Sequence, residues 1–191
     1  MMSSKLENIN LCIFCGSKKG SNPYFENETR VLGKILAYNK IKIIYGGGGK
    51  GLMGIIAETV INNGGFVEGI MPNFFSPPPF KTKLFKLTLV KNMSERKNKL
   101  IEISDAFCIL PGGIGTLDEF FEIITLKQLK KLNKPIILVN WNGYWNKLID
   151  SMIFLEKNGF SHIPIENLFT TVEQVSEILP ILLKEVKHSP I

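Results

Sequence analysis

The chemistry legible in this sequence lies in two glycine loops and a few charged side chains near them. The first loop runs Gly46-Gly47-Gly48-Gly49-Lys50-Gly51 with Gly54 close behind; the second runs Pro111-Gly112-Gly113-Ile114-Gly115-Thr116-Leu117-Asp118-Glu119. Together they hold nine of the 17 glycines. Each follows a β-rich apolar run and opens a helical pattern. Glycine there allows close backbone approach, so successive N–H groups can face a phosphate at the positive end of a helix. Packing alone also places glycine in strand-to-helix turns. Two such loops on one sheet edge point more strongly to a ligand, because open α/β sheets bind ligands at the carboxyl ends of their strands.

Glu119 admits two readings. Thr116 and Glu119 have capping-box spacing, so the carboxylate could simply bond back to the Thr116 N–H. The functional reading stands it one turn from a phosphate cradle, addressing a sugar carbon while the loop holds the phosphate; local sequence favours the cap, and the two roles are not exclusive. Arg96 stands out by composition: of 23 Lys and Arg, only Arg30 and Arg96 are arginine. A planar guanidinium binds phosphate or carboxylate bidentately, which a lysine does not.

Other motifs fit less well. Gly46-x-Gly48-x-x-Gly51, with Glu68 17 residues after Gly51, imitates a dinucleotide fingerprint. However, the loop follows the second strand, and Glu68 lies within a strand. A Walker A loop fails because Gly51 follows Lys50 where Ser or Thr is required. His162 and His188 fall outside both loops, and no cluster has metal-ligand spacing, so neither histidine catalysis nor a bound metal is expected. Cys12-x-x-Cys15 lies in a strand, whereas the redox motif opens a helix. Cys12 and Cys108 read as buried small hydrophobes, and Cys15, with Gly16 and Ser17, ends the first strand on the ligand edge.

The elements that must position these residues alternate regularly. Strands are expected at Ile9–Cys15, Ile41–Tyr45, Phe66–Ile70, Lys86–Val90, Ala106–Leu110, Pro135–Val139 and Leu168–Thr170. Helices are expected at Pro23–Asn39, Leu52–Asn63, Ser94–Ser104, Thr116–Leu132, Trp145–Lys157 and Val172–Lys187. Asn22 can cap the first helix and Pro23 suits its first position, with Val31, Ile35 and Leu36 as its apolar stripe. Nearly continuous apolar strands imply helices on both faces, hence a doubly wound parallel α/β sheet. The stretch Met71–Phe85, with Pro77-Pro78-Pro79, interrupts this rhythm as a stiff, functional or mobile loop.

Composition sets the outer limits. At 191 residues, 45% hydrophobic and 21% charged, the chain suits one domain spanning residues 1–191, which buries roughly 70% of its unfolded surface without staples. Disorder, collagen-like repeats and membrane spans are excluded by the pattern. Met1–Asn10 lacks the apolar core of a leader peptide, and three Cys, an odd number, suit a reducing compartment, so a cytoplasmic protein is expected. Lys81, Lys83, Lys86, Lys91, Arg96, Lys97 and Lys99 face a single anion, Glu95; this stretch carries +6, the net charge of the whole chain. Such a patch either attracts anionic metabolites or is a solvated face. Nucleic acid fits worse, since no aromatic-interleaved basic element accompanies it.

In combination, Cys15-Gly16-Ser17, Gly46-Gly47-Gly48 with Gly51-Leu52-Met53-Gly54, Met93-x-x-Arg96-Lys97 and Pro111-Gly112-Gly113-x-Gly115-Thr116-x-x-Glu119 resemble the Lonely Guy (LOG) family. These are phosphoribohydrolases of cytokinin riboside 5′-monophosphates. The resemblance runs from about Ile9 to Thr170 and implies a Rossmann-like fold, a homodimer and no cofactor. The implied substrate is a nucleoside 5′-monophosphate, commonly an N6-substituted AMP, cleaved to free base and ribose 5-phosphate. It also implies roles: Arg96 and Glu119 as the catalytic pair, Lys97 and Met93 as neighbouring contacts, and Gly112, Gly113, Ile114, Gly115, Thr116, Leu117 and Asp118 as the nucleotide loop. Gly16, Ser17, Gly46, Gly47, Gly48 and Thr125 are further substrate contacts. Asp118 replaces the more usual Glu, and the loop before Phe85 lacks an acidic residue found in many plant members, which bears on the base side of the pocket. Two alternatives accompany this reading: an AMP nucleosidase without cytokinin preference, and a non-catalytic nucleotide or cofactor carrier.

Overall fold

A computed structural model describes residues 9–75 and 79–188. Most of the leader-peptide reading, at residues 1–8, and the first two prolines of Pro77-Pro78-Pro79 lie outside the described residues.

Seven strands form one parallel sheet: β1 (Asn10–Phe14), β2 (Lys42–Tyr45), β3 (Val67–Pro72), β4 (Phe85–Val90), β5 (Ala106–Ile109), β6 (Ile136–Val139) and β7 (Thr170–Val172). Six helices connect and cover them: α1 (Pro23–Tyr38), α2 (Gly51–Asn62), α3 (Met93–Ile103), α4 (Ile114–Gln128), α5 (Asn146–Lys157) and α6 (Val175–His188). The strand order is β4-β3-β2-β1-β5-β6-β7. The chain therefore winds outward from β1 to β4, returns to the centre at β5, and winds out the other way. Beside β1 and β5 the connections diverge, which opens a crevice at the carboxyl edge.

Burial on both faces explains the apolar strands. Leu11, Ile13, Ile43, Tyr45 and Cys108 face α1, α2 and α6, while Cys12, Phe14, Ile44, Phe107 and Ile109 face α3, α4 and α5. Cys12 and Cys15 thus belong to opposite faces and are both free thiols. Three residues apart on extended backbone, they cannot act as a pair.

Several helix boundaries differ from expectation. In α1, Asn22 Oδ1 accepts from the Tyr24 N–H at 3.0 Å, as its cap position requires. Its buried stripe is Phe25, Leu32 and Leu36, while Val31 is exposed and Ile35 only half-buried. α6 begins at Val175 rather than Val172 because Val172 belongs to β7, its carbonyl accepting from the Asn140 N–H at 2.7 Å. The most consequential shift is in α4, which starts at Ile114 with Gly113 as its cap. Thr116 is then inside the helix, so the capping-box frame is lost.

Four of the seven cations between Lys81 and Lys99 are paired. Lys86 reaches Glu68 at 2.8 Å, Lys97 reaches Glu122 at 3.0 Å, Lys99 reaches Glu102 at 3.1 Å, and Arg96 reaches Glu119 at 2.8 Å. The stretch is a set of local pairs on different elements. It is not one uniform field of positive charge.

Candidate active site

Arg96 is a buried charge held by two elements besides its own. Asn92 Oδ1 accepts from the Glu95 N–H at 2.9 Å, and Glu95 Oε2 accepts from the Lys91 N–H at 2.8 Å, so the first turn of α3 is closed from both sides. One residue on, Arg96 and Leu100 are the buried members of α3. Arg96 Nε donates to the Ile70 carbonyl at the end of β3 (3.3 Å), and its Nη2 meets Glu119 Oε1 of α4 at 2.8 Å. A Cβ at Gly46 would collide with this guanidinium, so glycine in the loop after β2 is what leaves Arg96 its seat.

Glu119 serves this pair instead of the Thr116 amide. About a tenth of each side chain is exposed. Burial pushes the Glu119 carboxyl above the ordinary carboxylate range; the Arg96 charge and hydrogen bond oppose that shift without cancelling it. A buried carboxylate with one fixed cationic partner still has lone pairs free for a water or a substrate atom.

Above the pair lies a cleft of about 560 Å³, a size that suits a nucleotide-sized ligand. Ser17, Gly46, Gly48, Met93, Gly113, Ile114, Gly115, Thr116 and Asp118 line it together with Arg96 and Glu119. Gly16 and Gly112 lie behind this wall, lining a neighbouring depression; the Gly16 N–H donates to the Pro111 carbonyl at 3.0 Å. Gly47 turns the loop at φ 81° and packs against Met71. Leu117 packs into the core beneath α4. Lys97 stands beside the cleft with its ammonium held by Glu122 and by Asp118, 3.3 Å away, which raises its pKa. Thr125 sits about three turns along α4 on an exposed face, outside the cleft.

The turn before α4 differs from the other glycine loops in one respect. Gly112 has no room for a Cβ, which would strike Thr116 Oγ1, and Gly51 would strike the Ser17 backbone. Gly113 and Gly115, by contrast, face open space, with no atom within 4 Å of where a Cβ would stand. Neither needs a positive φ. The fold does not demand glycine at these two positions. Inside a helix Gly115 even costs about 1 kcal/mol relative to alanine. No side chain caps the first turn of α4, whose residues Gly113 to Thr116 border the cleft, so its leading amides remain available to an anion.

The rest of the cleft lining is apolar: Cys15, Met53, Met71, Pro72, Phe75 and Met93. Burial pushes the Cys15 thiol well up, so it contributes packing rather than a thiolate. Met71, Pro72 and Phe75 were not legible as site residues. The only clue was the irregular stretch after β3, whose length marked it as more than a connector. Among the described residues no group of three or more His, Cys, Asp or Glu is placed to hold a metal ion, and no helix is long and apolar enough to cross a membrane.

A parallel, doubly wound sheet with a cleft over its switch point, an uncapped glycine turn and a buried Arg–Glu pair defines a Rossmann-like α/β protein with a ligand site on the carboxyl edge. Comparison with known proteins narrows this. Residues 53–182 match the family model described as "Possible lysine decarboxylase". A rice protein named probable cytokinin riboside 5′-monophosphate phosphoribohydrolase LOG4 is 37% identical over 170 residues, 88% of this chain and 74% of that one. The Arabidopsis thaliana enzyme LOG1 is 34% identical over 93% of this chain and 83% of its own, and a Rhodococcoides fascians enzyme of the same activity is 36% identical over 78% and 76%. The chain belongs to the LOG family. Its fold also matches the molybdenum cofactor carrier protein of Chlamydomonas reinhardtii, with a TM-score of 0.71 over 94% of this chain and 99% of that one, at 16% identity.

Proposed function

We propose that the protein hydrolyses the N-glycosidic bond of adenosine 5′-monophosphates, N6-substituted ones included, releasing free base and ribose 5-phosphate. The observation that carries this reading is the buried Arg96–Glu119 pair at 2.8 Å, set beneath an uncapped glycine turn. The curated relatives named above carry this activity in their names.

In this reading the 5′-phosphate sits on the amides of Gly113, Ile114 and Gly115, drawn there by the N-terminal dipole of α4. The ribose then lies over Glu119 and the base lies among Met53, Met71, Met93 and Phe75. Heterolysis of the C1′–N bond sends its electron pair to the base and leaves an oxocarbenium-like sugar. Glu119 stabilises that cation, orients a water on C1′ and takes its proton as the C1′–O bond forms; the proton then completes the departing base. A carboxyl whose pKa is raised toward neutrality is better matched to such a transfer. Arg96 fixes the Glu119 rotamer and balances negative charge on the substrate.

The decarboxylase description of the family model fits the cleft poorly. A lysine amine is needed for Schiff-base chemistry, and no described residue lining this cleft is a lysine. Lys97 beside it is engaged by two carboxylates.

The protein acts as a single domain and as a homodimer in the cytoplasm. Ile114, Phe121 and Leu129 are exposed apolar residues spaced seven and eight apart from the start of α4 to its C-cap, which favours a partner surface. The three cysteines are free and buried, as suits a reducing compartment.

Incubation with AMP and with N6-isopentenyl-AMP, followed by chromatography, tests the reading. Release of the substituted base with ribose 5-phosphate is the expected result. Comparable or exclusive release from AMP indicates a nucleosidase without cytokinin preference, and tight binding with no base released indicates a carrier.

A further inference from the structure

We propose that Tyr144 is a positioning residue: its hydroxyl holds the Gly112–Gly113 peptide so that the Gly113 amide faces the nucleotide's phosphate. This rests on the reading of the turn before α4 as the phosphate cradle. Tyr144 lies 32 residues from that turn in sequence, between β6 and α5. Its hydroxyl donates to the Gly112 carbonyl at 2.6 Å.

The geometry of the peptide unit supplies the argument. In a trans peptide the carbonyl and the following N–H point in opposite directions. Drawing the Gly112 carbonyl toward Tyr144 therefore turns the Gly113 N–H away from it. Tyr144 lines the depression behind the turn and is absent from the cleft, whereas Gly113 borders both. The amide facing away from Tyr144 is thus presented on the cleft side. This peptide is flanked by two glycines, so no Cβ resists its rotation. Without an external bond it would be free to flip and offer a carbonyl oxygen to the phosphate, an arrangement repelled by like charge.

Tyr144 is itself held firmly. Its ring stands edge-on to Phe25 at 5.4 Å and to Trp145 at 4.6 Å. The buried Asn140 fixes the turn beneath it: Oδ1 accepts from the Trp145 N–H and Nδ2 donates to Asn146 Oδ1, both at 2.7 Å. Asn142 and Gly143 take the left-handed conformation to make this turn, at φ 53° and 68°. This turn, with Asn and Gly at its two left-handed positions, presents the half-exposed Tyr144 to the Gly112 carbonyl.

Tyr144→Phe removes the hydroxyl and keeps both ring contacts. Calorimetry with ribose 5-phosphate and with adenosine, on wild type and variant, isolates the phosphate. Ribose 5-phosphate affinity is expected to fall about three- to tenfold, the scale of one hydrogen bond, with adenosine affinity unchanged. KM for AMP should rise by the same factor and kcat stay within about twofold. Equal ribose 5-phosphate affinity in the two proteins overturns the positioning role and leaves the cradle standing. Equal losses for both ligands, or a melting temperature lowered by more than about 5 °C, mark a merely structural tyrosine and overturn it as well. Failure of wild type to bind ribose 5-phosphate removes the cradle itself, and the proposal with it.

Discussion

The Arg96 guanidinium occupies the space where a side chain at Gly46 would begin. The loop after β2 and the helix after β4 therefore specify one another: glycine at one is the condition for a seated arginine at the other. Gly46→Ala should fold, because Arg96 is long enough to swing away, yet it should break the 2.8 Å contact with Glu119. Turnover should drop about a hundredfold. Circular dichroism with steady-state kinetics on AMP checks this, and near-native turnover would show that the seated guanidinium is dispensable.

Glu119→Gln keeps the shape of the side chain and removes its charge. Base release should slow by about two or more orders of magnitude, with KM little changed. Chromatographic assay of released base decides it.

The raised pKa of Glu119 has a pH signature of definite sign. Its burial holds the proton to a higher pH than an ordinary glutamate, near 4.5. The ionised base is lost as pH falls, so kcat should decline on an acid limb set above that ordinary value. Stability carries the opposite trend: the folded state binds this proton more tightly than the unfolded chain, so ionising Glu119 lowers stability as pH rises through the same window. A kcat–pH profile of wild type, with melting curves of wild type and Glu119→Gln over that range, reads both effects.

Gly115→Ala separates folding from binding. Alanine meets no atom within 4 Å and suits a helix better, so stability should rise by up to about 1 kcal/mol. The methyl group would stand in the phosphate's place, and ribose 5-phosphate affinity should fall at least about tenfold. Urea melts and calorimetry test the two halves independently. A stable variant with unchanged affinity would move the phosphate elsewhere.

Glu68, imitated in sequence as a ribose-binding acid, is a structural charge. Its carboxylate accepts from Lys42 at 2.6 Å and from Lys86 and Thr88 at 2.8 Å, joining β2, β3 and β4. Burial alone would raise its pKa, but these three partners together bring it down to about 2. The stabilisation is full above the ordinary value of 4.5 and is lost as pH falls toward 2. Glu68→Gln should cost about 2 kcal/mol at neutral pH and leave stability less sensitive to acid over that range. Urea denaturation at several pH values measures it.

Strand and helix order was readable from the chain alone because both signals are local. Apolar runs bounded by glycine loops mark strands buried on both faces, and a cap such as Asn22 ahead of Pro23 marks a helix start. Local readings failed where two local patterns competed. Thr116 and Glu119 have capping spacing, but the glycine at 113 lets α4 begin earlier, and the buried Arg96 offers Glu119 a stronger partner than an amide does. Val31, Ile35 and Leu36 fit a helical stripe, but of the three only Leu36 is buried, and Phe25 and Leu32 join it in the core.

The sequence by itself determined the layered α/β architecture, the two glycine loops and the singular status of one arginine, because composition and short-range spacing encode these directly. Only the tertiary structure decided which glycines are filled by the protein and which are left open, that Arg96 and Glu119 meet, and that Tyr144 reaches the turn 32 residues before it. Those facts depend on how distant helices pack on a common sheet. Packing distance is set by the volumes of all the side chains between them, and no local window of sequence contains that sum.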